Sequence, residues 1–103
     1  MESYRTISGK SEASFTEKKS IFIANISFVD TEEAAQSFLG AVRKEHRTAN
    51  HNVYAYRLQE GERTRYSDDG EPAKTAGLPV LEVLHHAELV NVIAVVTRYF
   101  GGT

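Results

Sequence analysis

The chain has 103 residues, of which 41% are hydrophobic and 25% charged, with a formal net charge of -2. That size and balance bound it to one soluble domain with a modest core, exclude disorder, and give no overall electrostatic drive towards nucleic acid or an anionic membrane. With 0 cysteines, disulfides, thiolate catalysis and cysteine-ligated zinc are all excluded.

Tyr4 to Ser8 and Glu12 to Glu17 read as strands around a Gly9-Lys10 turn. Ser20 to Phe28 is a clearer strand, because Phe22, Ala24, Ile26 and Phe28 fall on one face at period two. Asn25 and Ser27 on its other face suggest partial solvent contact. Asp30 then opens a helix as N-cap, with Glu33 three residues on in the manner of a capping box. Ala34, Ala35, Phe38, Leu39 and Val42 form its apolar stripe, and Arg43 and Lys44 suit its C-terminal end.

His51 to Leu58 is the next strand, Gln59 to Glu62 a hairpin turn, and Arg63 to Tyr66 the return. An acidic loop follows, and Thr75 to His86 forms a second helix with Thr75 as cap and Pro79 near its first turn. Leu78, Leu81 and Leu84 line one side of it. Val90 to Val96 is almost wholly apolar and β-branched, the mark of a strand that is central or covered on both faces. A glycine pair after such a strand normally leads into another element. Residues 1–103 are therefore expected to form a single domain that is incomplete at its C-terminus. The expected class is α+β, in two layers, with helices on one face of a mixed sheet.

Two segments carry the chemistry. Ser67-Asp68-Asp69-Gly70-Glu71-Pro72 gathers carboxylates around a glycine where the chain can turn sharply. Asp68, Asp69 and Glu71 could hold Mg²⁺ through oxygen ligands, although the spacing is not that of a calcium loop, and a plain polar turn is the competing reading. The backbone N–H groups at the helix start near Thr75 could receive a phosphate, but no Walker loop is present. His51 could act as a base, yet no nucleophile motif accompanies it, so a hydrogen-bonded structural histidine competes. Tyr54, Tyr56, Tyr66 and Tyr99 could stack bases and Arg57, Arg63 and Arg65 could meet phosphates; the competing reading is half-buried tyrosines beside a solvated hairpin. Arg98, at the end of the apolar strand, is expected to pair with a carboxylate of the acidic loop.

The stretches Ala49-x-His51-Asn52-x-Tyr54-Ala55-Tyr56, Ser67-Asp68-Asp69-Gly70-Glu71-Pro72-x-x-Thr75-Ala76-Gly77-x-Pro79 and Val96-Thr97-Arg98-Tyr99-Phe100-Gly101-Gly102, with Lys19-Ser20-x-Phe22-Ile23 before them, together resemble the signature of the IMPACT/YigZ family. The resemblance implies a fold like the second domain of the ribosomal protein S-five type, also seen in elongation factor G. It implies a glycine-rich helix beyond the Gly101-Gly102 pair and, in bacterial members, a second, ferredoxin-like domain. Eukaryotic members of that family regulate translation under nutrient stress by binding a protein scaffold that activates an initiation-factor kinase, and the family brings no established catalytic residues.

The reading that follows is a non-enzymatic, cytoplasmic binding domain for a protein or ribonucleoprotein partner of the translation machinery, with no membrane contact. No catalytic residue, metal or cofactor is expected. The candidate surface comprises His51, Asn52, Asp68, Asp69, Glu71, Thr75, Arg98 and Tyr99. The alternative is a small-ligand or phosphate-binding enzyme using the acidic loop with a divalent metal, and direct RNA binding by the sheet is a third reading.

Overall fold

The computed structural model describes residues 9–17, 19–59, 63–67 and 77–100. In chain order the elements are β1 (Lys10–Glu17), β2 (Ser20–Phe28), α1 (Glu32–Glu45), β3 (His51–Leu58), β4 (Arg63–Ser67), α2 (Gly77–His86) and β5 (Val92–Tyr99). β2 and β3 have the limits expected from the sequence. The strand expected at Tyr4 to Ser8 lies outside the described residues. Gly9 adopts φ 75, a left-handed conformation open to glycine, and turns the chain into β1.

The cap of α1 is Thr31, not Asp30. Thr31 is extended (φ -137, ψ 160), and its hydroxyl accepts a hydrogen bond from the Ala34 amide at 3.0 Å. The shift by one residue has a local cause. Val29 is still tied to the sheet, its amide donating to the Asn91 carbonyl at 3.0 Å, so the chain can turn into the helix only beyond Asp30. Glu32 and Glu33 then occupy the first turn and Arg43 and Lys44 the last, the charge order that the helix dipole favours. Thr31→Ala is expected to cost about 1 kcal/mol in urea unfolding, and Asp30→Ala less than about 0.5 kcal/mol. Equal costs would return the cap to Asp30.

The strand order is β1-β2-β5-β3-β4. Every neighbouring pair is antiparallel, so the mixed sheet expected from the alternation of elements is corrected. The reason is topological. A strand–helix–strand passage through α1 would set β2 and β3 parallel if they were adjacent, but β5 inserts between them and runs antiparallel to both.

The faces of this sheet follow from register. Tyr54 faces Val95 and Tyr56 faces Ile93 across β3 and β5; these residues form one cluster with Ala35, Leu39 and Val42 of α1. Ala55 faces Ala94, and Val92 lies opposite Arg57. Ala55 and Val92 cluster with Leu84 of α2, with Ala94, Val80 and Leu81 packed against them. Neighbours along a strand point to opposite sides, so α1 and α2 cover opposite faces. The α+β class holds, but two layers with both helices on one face become a sheet held between two helices. β5 demands this: Val92, Ile93 and Val95 are each fully buried, Val92 on the α2 side and Ile93 and Val95 on the α1 side. α2 starts at Gly77 with Pro79 in its first turn, where the missing N–H costs no helical bond. Among the described residues, no helix is long and apolar enough to cross a membrane.

Candidate functional site

β5 does not end at Val96, where the apolar run stops, but continues through Thr97, Arg98 and Tyr99. Its end is clamped by Asn50. The Asn50 amide donates to the Arg98 carbonyl at 2.9 Å, and the Asn50 side-chain oxygen accepts from the Phe100 amide at 2.7 Å. Alternation along this extension sends consecutive motif residues to opposite sides of the sheet.

On the α2 side stand Arg98 and His51, which are register partners across β5 and β3. The Arg98 guanidinium lies 5.2 Å from the Phe22 ring centroid and 4.6 Å from that of Phe100. His51 meets the Phe100 ring edge-on at 5.5 Å. A guanidinium between two ring faces is held in orientation by cation–π attraction.

On the α1 side stand Asn52 and Tyr99. Asn52 is buried, and its side-chain oxygen accepts from the buried Thr97 hydroxyl at 2.7 Å. The Tyr99 hydroxyl is bonded to Nδ1 of His46 at 2.7 Å, fastening the end of β5 to the end of α1. Of the four described candidates, then, His51 and Arg98 come together on one surface, whereas Asn52 and Tyr99 brace the corner from within. Phe22, Phe100, His46 and Asn50 join the arrangement without having been singled out as site residues; Phe22 and Phe100 lie within the family motif stretches, and no sequence signal marked His46 or Asn50.

Asp68, Asp69, Glu71 and Thr75 lie outside the described residues, as does the expected pairing of Arg98 with a carboxylate of that loop. Ser67, the last residue of β4, pairs with Tyr54, near the start of β3. The described chain therefore runs into the acidic segment from the same end of the sheet as His51 and Arg98. Tyr54 and Tyr56 are buried beneath α1 with parallel rings 6.4 Å apart, and Tyr66 and Tyr99 are half-buried. The first two are consequently closed to base stacking. Among the described residues no group of three or more His, Cys, Asp or Glu is placed to hold a metal.

A separate polar contact ties the β3–β4 hairpin to α1. The Tyr56 hydroxyl donates to Glu32 Oε2 at 3.1 Å, and Arg63 pairs with Glu32 Oε1. The Tyr56 bond, against some desolvation and helped by Arg63 and Arg65, holds the Glu32 carboxyl below its ordinary 4.5. Burial first, and the Glu32 bond second, raise the Tyr56 phenol above 10.0. A carboxyl depressed on folding contributes stability that is complete above its unfolded pKa and is lost as pH falls through the folded one. A phenol raised on folding contributes stability that is present below its unfolded pKa and is lost as pH rises through the folded one. Tyr56→Phe is expected to flatten the acid limb of a stability–pH curve below about pH 5, measured by thermal unfolding. An unchanged acid limb would remove Tyr56 as the main cause.

Residues 18–103 match the family described as the Impact N-terminal domain. The chain is 45% identical over 103 residues to IMPACT family member YvyE of Bacillus subtilis, covering 99% of this chain and 48% of that protein. It is 42% identical over 88 residues to IMPACT family member YigZ of Escherichia coli, covering 82% of this chain and 43% of that one. Among solved structures, a hypothetical protein superposes with a TM-score of 0.86 at 38% identity, covering 92% of this chain and 48% of that one. The two-domain translational regulator Yih1 superposes with a TM-score of 0.69 at 31% identity, covering 93% and 39%. The chain spans less than half the length of these relatives. With the family match running across most of its length, and with the His51–Asn52 and Thr97–Arg98–Tyr99 segments meeting at one corner of the sheet, the chain belongs to the IMPACT family through its N-terminal domain.

Proposed function

We propose that the chain is a non-enzymatic cytoplasmic binding domain that serves the regulation of translation through a protein or ribonucleoprotein partner. The observation that carries this reading is the likeness to Yih1, described as a translational regulator. The S-five-type fold implied by the sequence motifs belongs to the same reading.

The contact surface is the corner on the α2 side. Arg98, oriented between Phe22 and Phe100, supplies a fixed cation with His51 beside it. Asp68, Asp69 and Glu71 follow Ser67 in the chain and supply charge of the opposite sign, and Thr75 completes the motif. A corner with a cation and two aromatic rings suits a protein surface, where Arg and aromatic side chains act as anchors. Asn52 and Tyr99 serve it by fixing the backbone. The burial of Tyr54 and Tyr56 weakens the direct RNA reading, and the phosphate–Mg²⁺ alternative gains no observation from the described residues.

The test is co-sedimentation with ribosomes of the full-length protein that contains this chain. Asp69→Asn and Arg98→Gln, each checked for a native melting profile, are expected to lower the bound fraction several-fold. Unchanged co-sedimentation of both folded variants would contradict the assignment.

A further inference from the structure

A cavity lies beside α1, on the opposite side of the sheet from the Arg98 corner. The buried cluster beneath α1 draws on β3 and β5, and among the described residues no member of it comes from β1 or β2. The helix therefore flanks the α1 side of those two strands without closing it. Register fixes which side chains stand there. Asn25 of β2 is opposite Val95, which belongs to the cluster under α1, and Glu12 of β1 is opposite Asn25. Lys10, two residues from Glu12, shares that face and stands diagonal to Asn25. With Phe38, Val42 and Glu45 of α1, these residues line a space of about 430 Å³, the size of a small-molecule site.

Lys10, Glu12 and Glu45 are exposed, and a solvated trough accounts for them. It does not account for Asn25. The Asn25 amide nitrogen is shut off from solvent and has no hydrogen-bond partner among the described residues, and Asn25 lines the cavity. A buried donor left in that state opposes folding unless something accepts from it. The charges around it are not matched to one another. Among the described residues neither Lys10 nor Glu12 has an ion pair, and Glu45 has only His46, at 4.0 Å. A donor, a cation and two carboxylates thus stand beside an apolar wall of Phe38 and Val42. We infer that this cavity is a binding site for a free amino acid with an apolar side chain. The ligand carboxylate accepts from the Asn25 amide and meets Lys10, its ammonium meets Glu12 and Glu45, and its side chain lies against Phe38 and Val42. A plain carboxylic acid leaves the two glutamates unmatched, and a plain amine leaves Asn25 and Lys10 so. The site does not rest on the translational reading.

The probe is L-leucine, with isocaproate, isoamylamine and glycine as comparisons that lack its ammonium, its carboxylate and its side chain. Binding to the full-length protein that contains this chain is measured by calorimetry, and NMR follows the Asn25 side-chain amide. Leucine is expected to bind saturably and to shift that amide resonance, and each comparison to bind about tenfold or more weakly. Asn25→Val is expected to keep or raise the melting temperature, because an unpartnered amide is removed, while leucine binding falls about tenfold. Glu45→Gln, at an exposed helix position, is expected to weaken leucine binding and leave that of isocaproate unchanged. Arg98→Gln, on the other face, should alter neither. No saturable binding of leucine, equally tight binding of isocaproate or isoamylamine, binding that leaves the Asn25 amide unshifted, or leucine binding unmoved in either folded variant, Asn25→Val or Glu45→Gln, would each overturn the proposal.

Discussion

Ile93→Ala is expected to cost about 2–5 kcal/mol, one of the two largest effects among single substitutions in this domain. Ile93 is fully buried on the central strand, clustered with Leu39 of α1 and Tyr56 of β3. Its loss opens a cavity between sheet and helix that neither backbone can close. Leu84→Ala, beneath α2, falls in the same class because Leu84 is 2% exposed and clusters with Ala55 and Val92. The two sites lie on opposite faces of the sheet. The double variant is therefore expected to lose the sum of the single costs to within about 0.5 kcal/mol in urea titration. Strong coupling between them would argue that the two helices share one core.

Thr97→Val is the second. It keeps the shape of the side chain but removes the hydroxyl that donates to the Asn52 side chain inside the sheet. The expected cost is about 1–3 kcal/mol, set by desolvation of the acceptor left behind rather than by the bond alone. Adding Asn52→Leu to Thr97→Val should cost less than the two single changes together, because the polar partner is then removed as well. This result would establish Asn52 as a brace of β3 against β5 and not as a partner contact. Strict additivity would leave Asn52 available to the surface.

Much of this fold is legible in the sequence. Period-two patterning locates β2, and the almost wholly apolar run from Val90 predicts a central strand, because both parities of that run need cover. The same run carried the evidence that helices lie on both faces, but two-layer α+β architecture is the commoner expectation for two helices and a sheet. The end of β5 was hidden for a different reason. Thr97, Arg98 and Tyr99 are polar or amphipathic, so the apolar signal stops three residues early while the antiparallel ladder with β2 and β3 continues.

That difference decides how the site is read. If the strand surfaced at Val96, Arg98 and Tyr99 would project from a loop and form one surface. As part of a strand they diverge, Arg98 towards Phe22, Phe100 and His51, and Tyr99 towards His46. Tyr99 and Asn52 match the family motif just as Arg98 and His51 do, and nothing in the sequence distinguishes a bracing role from a binding one. Sheet register places Arg98 and His51 on one face and Asn52 and Tyr99 on the other.

The most direct test of this division is a side-by-side comparison of Arg98→Gln and Tyr99→Phe in the full-length protein, with melting temperature and ribosome co-sedimentation measured on the same preparations. Tyr99→Phe, which removes only the hydroxyl bonded to His46, is expected to lower the melting temperature and leave the bound fraction of folded protein unchanged. Arg98→Gln is expected to lower the bound fraction several-fold at temperatures where the variant is fully folded. The opposite pattern, with binding lost on Tyr99→Phe and kept on Arg98→Gln, would contradict the account.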